Sequence, residues 1–544
     1  MYMLDSKGPI NTDHVFYFVK PQVSKIELLV KNFNEQEAKK RHYHLVYIPE
    51  QSLTCERVLR EKNVDGYFKS VDEFPLYFYP FDCDLLSMED ELAFKESTVN
   101  GDRTSIYNAA CGLMELQILY GVIPTILGQG KNAKTLCDIL LRKRKELEHR
   151  CSKQVSQIDT LIIVDRSIDL VSPLITQLTY EGLIDEIYGI RNNNVKLPSA
   201  KFNQQQKDSK ENAPINISTD QKQFTLNSSE ELFCKLRDKN FNAIPIFLTS
   251  KSKSLRVEYE ERHALKSVTD YKSFVDKLPY LQNTRKSLAN HLLIAELITE
   301  VTSSAAFREK LGVEQSFIDL IDTDKINAYI EDCICRREPI TKILRLICLQ
   351  SQVNNGLKGK TLDYYKREIV QTYGFYHLLN IENLTRSGAL RTGPCYARGF
   401  ANVRKSMRLT VDNSNEKNPT DICYVYSYFA PLSVRLCQYL VNPGWKMIND
   451  TIIKQLPEPF FEVVQPVDSS LRRRRNSGAS VASNFSTDEP KTVLVFFLGG
   501  CTYAEISALR FLSAQDDVNA EFVVATTKII NGNSFVESLF EIKV

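Results

Sequence analysis

LIIVDRSIDLVSPLITQLTYEGLIDEIYGI, residues 161–190, decides the fold class. Leu161 to Val164 is a short, unbroken apolar run. Asp165-Arg166 stops it, and Asp169 and a Ser172-Pro173 turn follow at once. A run this short and apolar predicts a strand buried on both faces, as in a parallel α/β sheet. Ligands and catalytic groups gather just past the carboxyl ends of such strands, so the same stretch raises the question of catalysis. One arginine between two carboxylates predicts a fork-shaped ion pair instead. A carboxylate beside a cation is a poor general base, because its pKa falls. Asp165, Arg166 and Asp169 are therefore expected to brace the fold.

Outward from this strand, the first 150 residues alternate between the two periods. HVFYFV (14–19), YHLVYI (43–48) and PLYFYPF (75–81) read as strands, with helices at 24–33, 52–62 and 104–123, the last stopped by Pro124. A basic amphipathic helix (134–150) leads into a second α/β unit, which contains the strand at 161–164 and a further strand at NAIPIFLT (242–249). Residues 199–223 are polar and read as an exposed loop. From about 251 to 460 helical periodicity takes over, and strands return at 491–500 and 520–528. The predicted organisation is an α/β domain over 1–150, a discontinuous α/β domain over 151–250 and 488–544, and a helical domain inserted at 251–470. The segment 471–487, low in apolar residues, is expected to be a flexible basic linker.

Composition narrows the function classes. The chain has 544 residues, 43% hydrophobic, with a net charge of +2, which gives no global attraction to nucleic acid or anionic membrane. Its longest apolar run falls far short of the ~20 residues that cross a bilayer, and its start lacks the pattern of a secretory signal. Thirteen scattered cysteines without a CxxC pair predict reduced thiols in the cytosol. No GxxxxGK[ST], GxGxxG, HExxH or GxSxG motif occurs. The close pair His42 and His44 falls on one face of a strand. Without nearby acids or cysteines it reads as a partly buried aromatic-like pair rather than a metal site. The most phosphate-like feature is VFFLGGCTYAEISALRFL (495–512), where Thr502 and Glu505 predict a capping box after Gly499-Gly500. A tight strand-to-helix turn accounts for it. The competing reading is an enzyme using a nucleotide or sugar phosphate, with its site near Asp165 and Gly499.

The stretch DRSIDLVSPLITQLTYEGLIDEIYGI resembles the signature of the SM (Sec/Munc-type) family of SNARE-fusion regulators. PFDCDLLSMEDELAFKE (80–96), SLANHLLIAELI (287–298), TLDYYKREIVQTYG (361–374), NPTDICYVYSYFAPLSVRLCQYL (418–440) and FFLGGCTYAEISALRFLS (496–513) are similar to its vacuolar-sorting, Vps-thirty-three or Carnation branch. The likeness extends over nearly the whole chain. It departs from the family in a first domain shorter by about one strand and helix, and in a longer, more basic linker.

The resemblance implies an arch of two α/β domains with a helical insertion, no catalysis and no cofactor. It also implies binding to SNARE helices, and docking through a large solenoid partner of the Vps-sixteen type into the HOPS and CORVET tethering assemblies. No nucleic-acid partner is expected, and membrane association at late endosomes and lysosomes would be peripheral, through partners. On SLANHLLIAELITEV (287–301), Leu288, Leu292 and Ala295 fall in one helical sector, and Ile294, Leu297, Ile298 and Val301 in another. Two stripes fit either deep burial or a second helical partner. By resemblance Leu288, His291, Leu292 and Glu296 are the SNARE-contact candidates. In LDYYKREIVQTYGFYHLL (362–379), five aromatic rings crowd a helix end at Gly374, with the composition of an interface core. Lys366, Phe375 and Leu378 are the candidates for tether docking. Asp185 and Arg435 join the structural set, Arg435 as a partly buried cation. Arg472 to Arg475 form a basic patch open to anionic lipid or to a basophilic kinase acting on Ser477, or simply a solvated linker.

Overall fold

The computed structural model describes residues 12–32, 41–147, 155–198, 221–260, 268–320, 323–393, 399–411, 414–441, 456, 459–466, 490–515 and 518–541. The linker with Arg472 to Arg475 lies outside them. The chain divides into two compact units, Met1–Tyr79 and Pro80–Val544.

In the first unit, β1 (His14–Val19), β2 (His42–Tyr47) and β3 (Phe68–Glu73) form a parallel sheet in that order. Helices Val23–Asn32 and Leu53–Glu61 connect them. Right-handed crossovers between parallel strands laid side by side put both helices on the same face, and the two pack together there. Ile26, Leu29, Cys55 and Leu59 close over Tyr43, Leu45 and Tyr47 to make the core. Strand alternation sends His42, His44 and Val46 to the opposite face.

The second unit is built on a seven-stranded sheet. Its members are β4 (Tyr79–Asp82), β5 (Leu85–Ser87), β6 (Thr125–Gln129), β7 (Thr160–Asp165), β10 (Phe460–Val464), β11 (Lys491–Leu498) and β12 (Ala520–Thr526). β8 (Asn194–Pro198) and β9 (Gln221–Thr225) form a separate antiparallel hairpin. The order is β10-β6-β7-β11-β12-β5-β4. β7 lies between β6 and β11, parallel to both, with Leu161 opposite Ile126 and Leu494. A sheet begun before the helical segment is thus resumed after it, as the strand pattern predicts.

Four expectations change. The first unit ends at Tyr79, not near residue 150, because β6 pairs with β7 and helix Lys131–Glu146 is the crossover that joins them. NAIPIFLT is helical. Asn240 caps a short turn by accepting from the Asn242 amide, and helix Ile244–Glu260 follows directly, burying Ile244, Leu248 and Leu255. Pro245 is tolerated because it falls in the first turn. Gln221 to Gln223, expected to be loop, open strand β9. Helix Thr104–Tyr120 ends at Gly121 (φ 87°), before Pro124 is reached.

Helices from Ile244 to Arg386 make up much of the remainder of this unit, among them the 35-residue Val268–Thr302. They share a continuous core with the sheet: Ile343 and Ile347 belong to the same buried cluster as Ile162, Val164, Val495 and Phe497.

Candidate functional site

The turn after β7 is filled by protein. Asp165 accepts from the Ser167 and Asn132 amides, each at 3.0 Å. Arg166 is fully buried. Its Nε donates to the Asp169 carbonyl at 2.8 Å, and one terminal nitrogen donates to Glu505 Oε2 at 2.9 Å and to the Gly500 carbonyl at 3.2 Å. The other terminal nitrogen stands 3.6 Å from Asp169 Oδ2. The fork therefore joins Asp169 and Glu505, correcting the expected pairing of Asp165 with Asp169. Asp169 also accepts from Ser172 Oγ (2.6 Å) and the Ser433 amide (3.1 Å), and Glu505 from Ser433 Oγ. One guanidinium thus ties the end of β7 to helices Tyr503–Ser513 and Leu432–Val441.

The predicted capping box is present, with Thr502 and Glu505 bonded reciprocally. The amides of Cys501, Thr502, Ala504 and Glu505, which would cradle a phosphate, bond instead to the Lys528 carbonyl, Glu505, Gln177 and Thr502. Gly499 (φ 100°) permits this closure, since a Cβ there would lie 2.8 Å from Arg166 Cβ and 2.9 Å from Phe94 Cδ2. The site is a brace, with its anion-binding donors already used.

Further buried charges bond within the second unit. Asp185 accepts from the Ile190 amide (2.9 Å) and Asn531 (3.1 Å), and burial pushes its carboxyl up to about 6. Arg435 binds Asp421 through both terminal nitrogens (2.9 and 2.8 Å), with Gln438 and the Arg408 carbonyl as further acceptors. Sequence reasoning missed Arg345, buried between Glu186, the Leu174 carbonyl and Asn533. A lone arginine inside the apolar run ILRLICL (343–349) was its signal.

On helix Val268–Thr302 the four SNARE-contact candidates separate. Leu288 (5% exposed) and His291 (1%) are core, whereas Leu292 (47%) and Glu296 face outward, one turn apart. His291 lies 2.9 Å from the Tyr180 hydroxyl and 3.0 Å from Glu230 Oε1, parallel to the Phe233 ring. Ser287 Oγ donates to the same Glu230 oxygen. The carboxylate therefore sits between serine and imidazole, an order that cannot activate the hydroxyl as a nucleophile. Burial removes Leu288 and His291 from any contact surface.

The second candidate surface lies at the joint between helices Gly359–Tyr373 and His377–Arg386. Tyr365 is buried, its hydroxyl 2.9 Å from Asn327 Oδ1, and Tyr373 donates to the Glu338 carbonyl. Gly374 (φ 105°) turns the chain outward, leaving Phe375 77% exposed beside the exposed Leu378 and Leu379. Lys366, half-buried, lies about two turns before the end of the preceding helix. Among the described residues no helix is long and apolar enough to cross a membrane.

The sequence model of the Sec1 family matches residues 2–538. Vacuolar protein sorting-associated protein 33A of Rattus norvegicus is 47% identical over 530 residues, covering 97% of this chain and 87% of that protein. The vacuolar protein-sorting-associated protein 33 homolog of Arabidopsis thaliana is 35% identical, covering 98% and 88%. Among solved structures, the Unc18–syntaxin 1 complex of Monosiga brevicollis superposes with a TM-score of 0.60 at 16% identity, covering 98% of this chain and 89% of that one. The SM protein Vps45 in complex with the Qa SNARE Tlg2 gives 0.58 at 17%, covering 98% and 88%. At such identities the structures establish a shared fold.

Proposed function

The chain belongs to the Sec1 family, the SM regulators of SNARE-mediated membrane fusion, and from that premise we propose that it is a non-enzymatic member of the vacuolar-sorting branch, with two separate binding surfaces. One, on helix Val268–Thr302 around Leu292 and Glu296, receives a SNARE helix. The other, Phe375 and Leu378 with Lys366, docks onto the solenoid subunit of the HOPS and CORVET assemblies. The protein then acts on the cytosolic face of late endosomes and lysosomes, held there by its partners.

The observation that carries this reading is the exposed group Phe375, Leu378 and Leu379. A phenyl ring three-quarters in water beside two half-exposed leucines gains nothing from the chain's own core, and such groups mark protein contacts. Leu292 and Glu296 supply an apolar anchor and a charge at i and i+4, the spacing that a heptad-bearing helix can meet.

The test is co-expression with the solenoid subunit, together with capture by immobilised SNARE motifs. Phe375→Asp should abolish co-purification with the solenoid. Its own stability should stay within about 0.5 kcal/mol of wild type, as exposed positions allow. Leu292→Asp should lower SNARE capture about tenfold and spare the solenoid, corresponding to about 1.4 kcal/mol of contact. A large fall in melting temperature for Phe375→Asp, with binding intact, would return the ring to the core and defeat the proposal.

A further inference from the structure

The basic helix Lys131–Glu146 buries Ala133, Leu136, Cys137 and Leu140 and packs on β6 and β7. Its last turn carries four consecutive cations that neither proposed binding surface uses. Arg142 and Lys145 are exposed, and Lys143 and Arg144 are half-buried. Lys143 lies over the Tyr107 ring, 4.3 Å from its centroid, and donates to the Tyr107 hydroxyl at 2.9 Å. Arg144 donates to the Gln465 side chain, and to the Pro466 carbonyl at 2.8 Å. All of these acceptors are neutral.

Among the described residues, none of Arg142, Lys143, Arg144 and Lys145 forms an ion pair. The helix holds six cations against two acids, Asp138 and Glu146, and Asp138 is 3.2 Å from Lys134. Other helices treat their exposed cations differently. Arg57, Arg256, Arg336 and Arg386 each meet a carboxylate one turn away. The helix dipole favours cations in a last turn, but that attraction does not neutralise them.

We propose that this end of the helix is a docking face for an anionic lipid bilayer, which it reads as a charged surface. Four consecutive residues ring a helix axis at steps of about 100°. A partner lying along the helix side meets residues at i, i+3 and i+4 only, whereas a flat surface across the helix end can reach the whole ring. Long Lys and Arg stems let the charged heads extend to it. Tyr107, 41% exposed beneath Lys143, has the amphipathic ring that settles at headgroup level. Val464, 71% exposed, ends strand β10 beside the Gln465 that Arg144 holds, and supplies an apolar contact. With a net charge of only +2, the attraction must be local to this face. The face uses none of the residues assigned to helix or solenoid binding, so it stands or falls apart from that reading.

The full chain is floated with vesicles of phosphatidylcholine alone and of an equimolar phosphatidylcholine–phosphatidylserine mixture, at low and high salt. Wild type should float with the anionic vesicles only, and salt should release it. One cation near such a surface is worth about fivefold in partitioning, so Arg142→Gln combined with Lys145→Gln should weaken binding about 25-fold. Arg57→Gln combined with Arg336→Gln makes the same change in net charge at cations that already have partners, and should float like wild type. The cations Arg472 to Arg475 are common to all these chains and cancel in the comparison. Circular dichroism melts should coincide, since Arg142 and Lys145 are exposed. If the pair melts early, Lys145→Gln alone, about fivefold weaker, decides. Wild type that does not float with the anionic vesicles, or equal losses in the pair and the control, would overturn the face. Retention on immobilised polyglutamate without flotation, lost in the pair, would assign the cations to an acidic protein and defeat the lipid assignment.

Discussion

Replacing Arg166 with methionine tests the claim that the turn after β7 is a brace. The side chain is fully buried, and so are its partners Glu505 and Asp169. Removing the cation leaves two carboxylates in the interior without a counter-charge, which typically costs about 3–5 kcal/mol. Each keeps its other donors: Thr502 and Ser433 for Glu505, and Ser172 and Ser433 for Asp169. The expected loss therefore sits mid-range, about 4 kcal/mol, or roughly a thousandfold in the folded-to-unfolded ratio. Against a total of about 5–15 kcal/mol this is a large fraction. Urea unfolding followed by far-UV circular dichroism reads it directly. Adding Glu505→Gln removes one stranded charge, so the double variant should regain about 2 kcal/mol relative to Arg166→Met alone. A single variant within 1 kcal/mol of wild type, or a strictly additive double, would refute the reasoning.

Two further outcomes are expected. Arg435→Leu strands Asp421, whose side chain is 29% exposed and can recruit water. The cost should be smaller than at Arg166, about 2–3 kcal/mol in the same urea assay. Glu181 is buried with its Oε2 unbonded, and Arg510, 3.6 Å away, is already held by Asp84 and Asp238. Burial therefore outweighs that attraction and pushes the Glu181 carboxyl up to about 8. A raised carboxyl contributes stability below its unfolded pKa of about 4.3 and loses it as pH rises through the folded value. Wild type should weaken relative to Glu181→Gln between pH 5.5 and 8.5, measured as a widening gap in urea midpoints. A gap that does not widen with pH contradicts the assignment.

The elements that sequence made legible are those whose cause is local. The apolar runs of β7, β11 and β12 are continuous because both faces of a central parallel strand are buried. The capping box at Thr502 closes over three residues. The exposure of Phe375 follows from a glycine turn directly before it. NAIPIFLT misled because eight apolar-rich residues fit either period, and the deciding cap, Asn240, lies two residues upstream.

Family, the return of the sheet after the helical segment, and the crowding of rings around Gly374 were all determined by sequence alone, for they rest on motifs and on periodicity within a few residues. Tertiary structure decided the rest. It chose Glu505, 339 residues away, as partner of Arg166, sorted buried Leu288 and His291 from exposed Leu292, gave β6 to the second sheet, and set His14 against His44. Each of these depends on which surfaces meet across long stretches of chain. Burial of the whole assembly selects that outcome, and no short window of residues encodes it.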